Sequence, residues 1–209
     1  LFPIFYSIKE ICDCSSYEFI EGVPSTLNKM LRDNDLDLSP SSSIEFLRNR
    51  PIYEIIDGHS ISSRGEIESI LLISHKPLDK LDRETINVSY QSETSVGLLN
   101  IILKRFYKID CKLNVSHSPL EGVAFLLIGD DALRFKYSVS RYNNNYKPMP
   151  HIYDLGDIWY KETGMPFVFA LWIARREIFD GEKGNLMIKF INDLHKAKDY
   201  ALKNLNYIV

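Results

Sequence analysis

Four sets of residues in this chain have types and spacing suited to chemistry. Gly129-Asp130-Asp131 follows the unbroken apolar run of residues 123–128, short enough for a strand buried on both faces. The carboxyl end of such a strand is where open α/β sheets bind ligands; a solvated turn in which Asp130 or Asp131 caps the next helix is the alternative. Ser42-Ser43-Ile44-Glu45 has capping-box spacing, a hydroxyl three residues ahead of a glutamate. The same hydroxyls beside free helix N–H groups also make an anion site. Thr94-Ser95 sits among the small hydroxyl residues that open a long predicted helix over residues 92–106, a second candidate helix start of that kind. Ser69 stands among apolar and acidic neighbours, where its hydroxyl must find a partner, either inside a strand or on a ligand.

These groups need a scaffold, and the patterning supplies one. The apolar runs at residues 123–128 and 167–174, with β-rich stretches at 53–56, 69–74 and 86–88, predict strands. Alternation predicts further strands at residues 17–23 and 36–39, and Asp57-Gly58 reads as a turn. Helices are predicted from Pro3, tolerated in a first turn, over residues 24–31, and over 153–163 up to Gly164. A final helix over residues 185–206 carries Met187, Phe190, Ile191, Leu194, Ala197, Ala201 and Leu205 on one stripe. Strands alternating with helices make this an α/β protein. A polar loop is expected over residues 137–150, with Asn143-Asn144-Asn145 and the nearby cations Arg134, Lys136, Arg141 and Lys147; it is solvated surface or a gate over a site.

The composition narrows the function. Of 209 residues, 45% are hydrophobic and 25% charged, and the net charge of −3 argues against a nucleic-acid partner. Three cysteines, two of them Cys12 and Cys14, form neither a disulfide framework nor a zinc set and fit a reducing, cytoplasmic compartment. No apolar run reaches the roughly 18 to 20 residues that span a bilayer, so no membrane partner is expected. His59, His75, His117, His151 and His195 are scattered, without metal-ligand spacing.

Taken together, Ile128-Gly129-Asp130-Asp131-Ala132-Leu133, Tyr153-Asp154-Leu155-Gly156-Asp157-Ile158-Trp159 and Thr163-Gly164-Met165-Pro166-Phe167-Val168-Phe169-Ala170-Leu171-Trp172 resemble the chorismate dehydratases of the futalosine route to menaquinone. Gly22-Val23-Pro24 with Leu27-Asn28, Leu36-Asp37-Leu38-Ser39 with Ser42-Ser43-Ile44-Glu45, and Ile61-Ser62-Ser63-Arg64-Gly65 with Ser69 match in the same order, so the resemblance covers nearly the whole chain. It implies a two-lobed type II periplasmic-binding-protein-like fold with a cleft between lobes. Lobe one would be residues 1–72 plus 172–209 and lobe two 73–171, with crossings near residues 71–74 and 170–173. It implies loss of water from chorismate, a small-molecule substrate, with no redox or metal cofactor. Ser69 matches a family serine and would face the departing C4 hydroxyl. The starts at Ser42-Ser43 and Thr94-Ser95 would hold the substrate carboxylates, with Gly129 and Asp130 orienting the ring. Pro3 matches a proline that in the family follows a first strand and an asparagine; both are expected ahead of Leu1. The general base is not assigned. Two rivals share the fold, a non-catalytic solute-binding protein and the related dihydroxynaphthoate synthase, which would need a base such as histidine near the site.

Overall fold

The computed structural model describes residues 2–89, 93–116, 122–141 and 149–208. From the amino end come α1 (Phe2–Ile11), α2 (Pro24–Arg32), β1 (Leu38–Ser42), α3 (Ser43–Arg48) and β2 (Tyr53–Ser63). Next are β3 (Ile70–Ser74), β4 (Thr85–Ser89), α4 (Glu93–Ile101) with a π-helical extension over Ile102–Tyr107, β5 (Lys112–Ser116), β6 (Ala124–Ile128) and α5 (Gly129–Arg141). β7 (His151–Asp154), α6 (Leu155–Thr163), β8 (Phe167–Arg175), α7 (Glu177–Asp180), α8 (Gly184–Lys203) and α9 (Leu205–Ile208) follow.

Contacts divide the chain into two compact units, one of Leu1–Ser41, Arg48–His59 and Trp172–Val209, the other of Ser42–Leu47 and Ser60–Leu171. The chain passes from one unit to the other at Ser41/Ser42, Leu47/Arg48, His59/Ser60 and Leu171/Trp172. β3 is hydrogen-bonded along both edges, to β6 and to β7, inside the second unit.

In the first unit, Pro3 lies in the first turn of α1, and Pro24 opens α2. The core gathers Ile56, Trp172, Ala174 and Ile178 around Met187 and Leu194 of the α8 stripe. β1, β8 and β2 pair in that order. Two expectations need correction here. β2 continues through Asp57-Gly58 although Gly58 has a φ of 80°, a departure from extended backbone that glycine takes without steric cost. Residues 17–23 form no strand. Their alternation instead records an extended segment whose aromatic side chains pack on helices: Tyr17 meets Phe190 edge-on at 4.9 Å and Phe19 meets Phe5 at 5.5 Å.

The second unit is built on a five-stranded sheet, order β5-β4-β6-β3-β7. β4 runs parallel to β5 and β6, and β3 is antiparallel to β6 and β7. β3 is buried throughout, as is β6 up to Leu127, which is why both read as continuous apolar runs. Alternate residues feed opposite faces. Leu72, Leu126, Ile86 and Val88 pack with Leu98, Leu99, Ile102 and Leu103 on one side; Leu71, Ile73, Phe125 and Leu127 pack with Ala132 and Phe135 on the other. The helix expected over residues 92–106 is α4 plus its π-helical turn, stopped by Lys108 at φ 58°; Ser92 lies outside the described residues. No loop begins at residue 137, since α5 continues to Arg141. Asn143-Asn144-Asn145 and Lys147 lie outside the described residues.

Candidate functional site

Topology collects the candidate residues at one edge of the second unit's sheet. Because β4 and β6 are parallel, α4 and α5 both begin there. β3 runs the other way, so its start, just after Ser69, reaches the same edge. β7 is antiparallel to β3 and delivers Asp154 and the start of α6 there as well. Neighbouring strands are about 4.8 Å apart, so the carboxyl ends of β4 and β6 and the amino end of β3 fall within about 10 Å across the sheet.

Ser42 and Ser43 reach this edge through α3. Ser42 directly precedes that helix, both serines are half-buried, and Glu45 is buried. The amide of Ile44 donates to Thr94 Oγ1 at 3.3 Å, and a Cβ on Gly97 would lie 3.4 Å from Ile44 Cδ1. The two hydroxyl-headed helix starts, separate in the sequence, are therefore one feature. Thr94 and Ser95 are buried. The Thr94 hydroxyl uses a lone pair on Ile44, which leaves its proton to donate elsewhere.

Ser69 and Gly129 form the second pair. Ser69 occupies a bend one residue before β3, half-buried, rather than a position within a strand. The Gly129 amide donates to its carbonyl at 2.7 Å, while the Ser69 hydroxyl makes no hydrogen bond among the described residues. Gly129 has φ 59° and open space where a Cβ would stand, so glycine answers here to backbone conformation. Asp130 and Asp131 are exposed in the first turn of α5. There they complement the positive end of the helix and make that end a poor receptor for a second anion.

Sequence reasoning missed Asp154. It caps α6, accepting from the amides of Gly156 at 2.9 Å and Asp157 at 3.1 Å, a role its place before a helical pattern signals. Its carboxylate also accepts from the amides of Ile67 at 3.1 Å and Glu68 at 2.6 Å, which no local pattern announces. Gly156 is needed beside it, since a Cβ there would come within 2.6 Å of the Gly65 carbonyl and 2.7 Å of Ser63 Oγ. Lys136 of α5 bonds Glu68 at 3.0 Å, and this contact raises the ammonium pKa.

In the first unit a cavity of about 830 Å³ is lined by aromatic groups including Phe5, Tyr17, Phe19, Trp172 and Phe190. None of Ser42, Ser43, Ser69, Thr94, Ser95, Gly129 and Asp130 lines it.

A family model described as menaquinone biosynthesis matches residues 1–209. The chain belongs to the menaquinone-biosynthesis family. Relatives in sequence include a protein of Thermus thermophilus named chorismate dehydratase, 29% identical over 177 residues, 77% of this chain and 62% of that protein. A Campylobacter jejuni protein of the same name is 25% identical over 203 residues, 92% of this chain and 74% of that one. The alignment therefore spans less than two thirds of the Thermus protein's length. Among solved structures, an Archaeoglobus fulgidus protein superimposes with a TM-score of 0.68 at 15% identity, covering 99% of this chain and 74% of that one. A structure from work on glutathione import in Streptococcus mutans gives 0.56 at 9% identity over 96% and 78%. The substrate-binding protein of an amino acid ABC transporter gives 0.52 at 14% over 97% and 79%. This member of the menaquinone-biosynthesis family thus has the expected type II periplasmic-binding-protein-like fold. No helix among its described residues is long and apolar enough to cross a membrane.

Proposed function

We propose that the protein is a chorismate dehydratase, a lyase that converts chorismate to 3-[(1-carboxyvinyl)oxy]benzoate and water in menaquinone synthesis. One observation carries the reading. In a chain whose relatives bear that name, Ser69 is paired with Gly129 at the sheet edge where two hydroxyl-headed helices begin.

The reaction breaks the C4–O and C3–H bonds. The C4 hydroxyl departs as water with the C3 proton, and the C–H electron pair completes the ring's π system. Aromaticity supplies the driving force, so the protein's work is to hold the ring and ease departure of the oxygen. Ser69 has the uncommitted hydroxyl for that task and donates to the leaving C4 oxygen. The two substrate carboxylates call for N–H and O–H donors. Ser42, Ser43, Thr94 and Ser95 offer these at the joined starts of α3 and α4, whereas Asp130 and Asp131 repel an anion from the start of α5. Gly129 and Asp130 then flank the ring on the Ser69 side. The substrate's own enolpyruvyl carboxylate can take the C3 proton and pass it to the departing C4 oxygen, which leaves as water, so no protein base is needed. We take the compartment to be the cytoplasm, where the free thiols of Cys12, Cys14 and Cys111 persist.

Incubation of the full-length protein with chorismate tests this directly. A product lighter by one water, with a benzoate absorbance, is expected. Chorismate bound yet unchanged after long incubation would leave a solute-binding protein instead.

A further inference from the structure

We infer that Asp154 is a positioning residue of this site: its carboxylate fixes the segment that presents Ser69. The inference rests on the reading of Ser69 given above. An N-cap needs to accept only the amides of its own helix. Asp154 does this for Gly156 and Asp157 through Oδ1. Its Oδ2 is spent elsewhere, on the amides of Ile67 at 3.1 Å and Glu68 at 2.6 Å, residues 87 and 86 positions away. Ile67 also reaches Oδ1 at 3.1 Å.

The tie has something to hold. Glu68, directly before Ser69, has φ 64°, a left-handed conformation that is strained for a residue with a Cβ. Amide bonds to a charged carboxylate are among the stronger hydrogen bonds and offset that strain. On the other side of Ser69, the Gly129 amide grips its carbonyl at 2.7 Å. The serine's backbone is pinned at both ends, by Asp154 through residue 68 and by Gly129 through its own carbonyl. Lys136, bonded to the Glu68 side chain, draws the same turn toward α5. The hydroxyl is left as the part of this turn with hydrogen-bonding capacity to spare.

Asp154→Asn separates the two roles. Asparagine caps helices as well as aspartate does, but its amide nitrogen would meet the Glu68 amide donor to donor, and Ile67 would keep only its bond to Oδ1. Two readouts are taken on the full-length protein: steady-state kinetics with chorismate, and amide hydrogen exchange followed by mass spectrometry. We expect kcat to fall on the order of 10- to 100-fold, the scale of a small misplacement of a reacting group, with KM within about threefold. Exchange across residues 66–70 should speed up on the order of tenfold while α6 stays protected. Asp154→Ser, able to cap but too short to reach residue 68, should behave alike. Unchanged kcat or unchanged exchange at 66–70 overturns the inference, as does loss of folding in both variants, which would make Asp154 a structural residue only. If the unsubstituted protein leaves chorismate intact, the dehydratase reading falls. Exchange then decides the positioning role alone, supported by a loosened turn beside an intact α6 and overturned otherwise.

Discussion

Two polar clusters, one in each unit, use similar groups to opposite ends. In the first unit Asp193 is buried, and its carboxylate accepts from Tyr17 at 3.0 Å, Lys189 at 3.1 Å and Lys196 at 3.2 Å. Burial pushes its pKa up, but the bonds from Lys189, Tyr17 and Lys196 win and hold it below the usual carboxylate range. Lys189 in turn reaches the Tyr17 hydroxyl at 2.9 Å and the Asp13 carbonyl at 2.9 Å, and it is more basic than usual, chiefly through its bond to Tyr17. The donors and acceptors consume one another and tie α8 to the segment after α1. At the sheet edge of the second unit, bonding stops short of completion. Thr94 keeps its proton after capping Ile44, and Ser69 commits its carbonyl but not its hydroxyl. A network that closes on itself stabilises, whereas one left with capacity facing outward can bind.

The sharpest way to break that contrast is Ser69→Ala. If the free hydroxyl serves the departing oxygen, kcat on chorismate should fall by about 10²- to 10³-fold, the cost of losing one preorganised donor. The melting temperature should move by no more than about 2 °C, because no hydrogen bond to that hydroxyl is lost. Equal losses of folding and turnover would place Ser69 with Asp193 among the structural groups.

The first unit offers the next test. His59 is buried, with Nε2 3.2 Å from His195 Nδ1 and its ring edge-on to Trp172. Burial first, then repulsion from His195 and Lys198, lowers its pKa from 6.5 to about 4, against a smaller opposing pull from Asp199. The folded protein therefore binds this proton less readily than the unfolded chain. Stability is full above pH 6.5 and declines as the pH falls to about 4, by about 2–3 kcal/mol in all. Asp193, with its lowered pKa, loses its own contribution only further into acid. Denaturant midpoints between pH 7 and 4.5 should slope in the unsubstituted protein and flatten in His59→Gln. An unchanged slope would move the acid sensitivity to other groups.

The sequence disclosed the scaffold unevenly, for physical reasons. A strand buried along nearly its whole length, such as β6, announces itself because every residue must be apolar. α8 is equally plain, as one stripe meets the core. β5, with no residue in its pattern buried, and the four-residue β7 carry no such signature. Residues 17–23 show the converse: alternation reports that one side of a segment is buried, without saying whether a strand or two helices bury it. At the site, residue types were legible, since hydroxyls before helices and Gly-Asp-Asp after a strand stand out locally. Their convergence was not. The Ile44–Thr94 bond spans 50 positions and the Glu68–Asp154 bond spans 86, and both depend on strand order, which no local pattern encodes.

Thr94 stands between the two kinds of cluster, and so it tests the contrast most finely. Thr94→Val keeps the shape of the side chain and removes its oxygen. The Ile44 amide then loses its partner at the start of a six-residue helix, at a cost of about 1 kcal/mol in the denaturant midpoint. A purely structural cap would show that loss and nothing more. A cap that also donates its spare proton to a substrate carboxylate forfeits a charged hydrogen bond, so KM for chorismate should rise about tenfold with kcat nearly unchanged. Thr94→Ser retains the oxygen and should restore both. A KM that stays put in Thr94→Val while stability falls would assign Thr94 wholly to architecture and leave carboxylate binding to Ser42, Ser43 and Ser95.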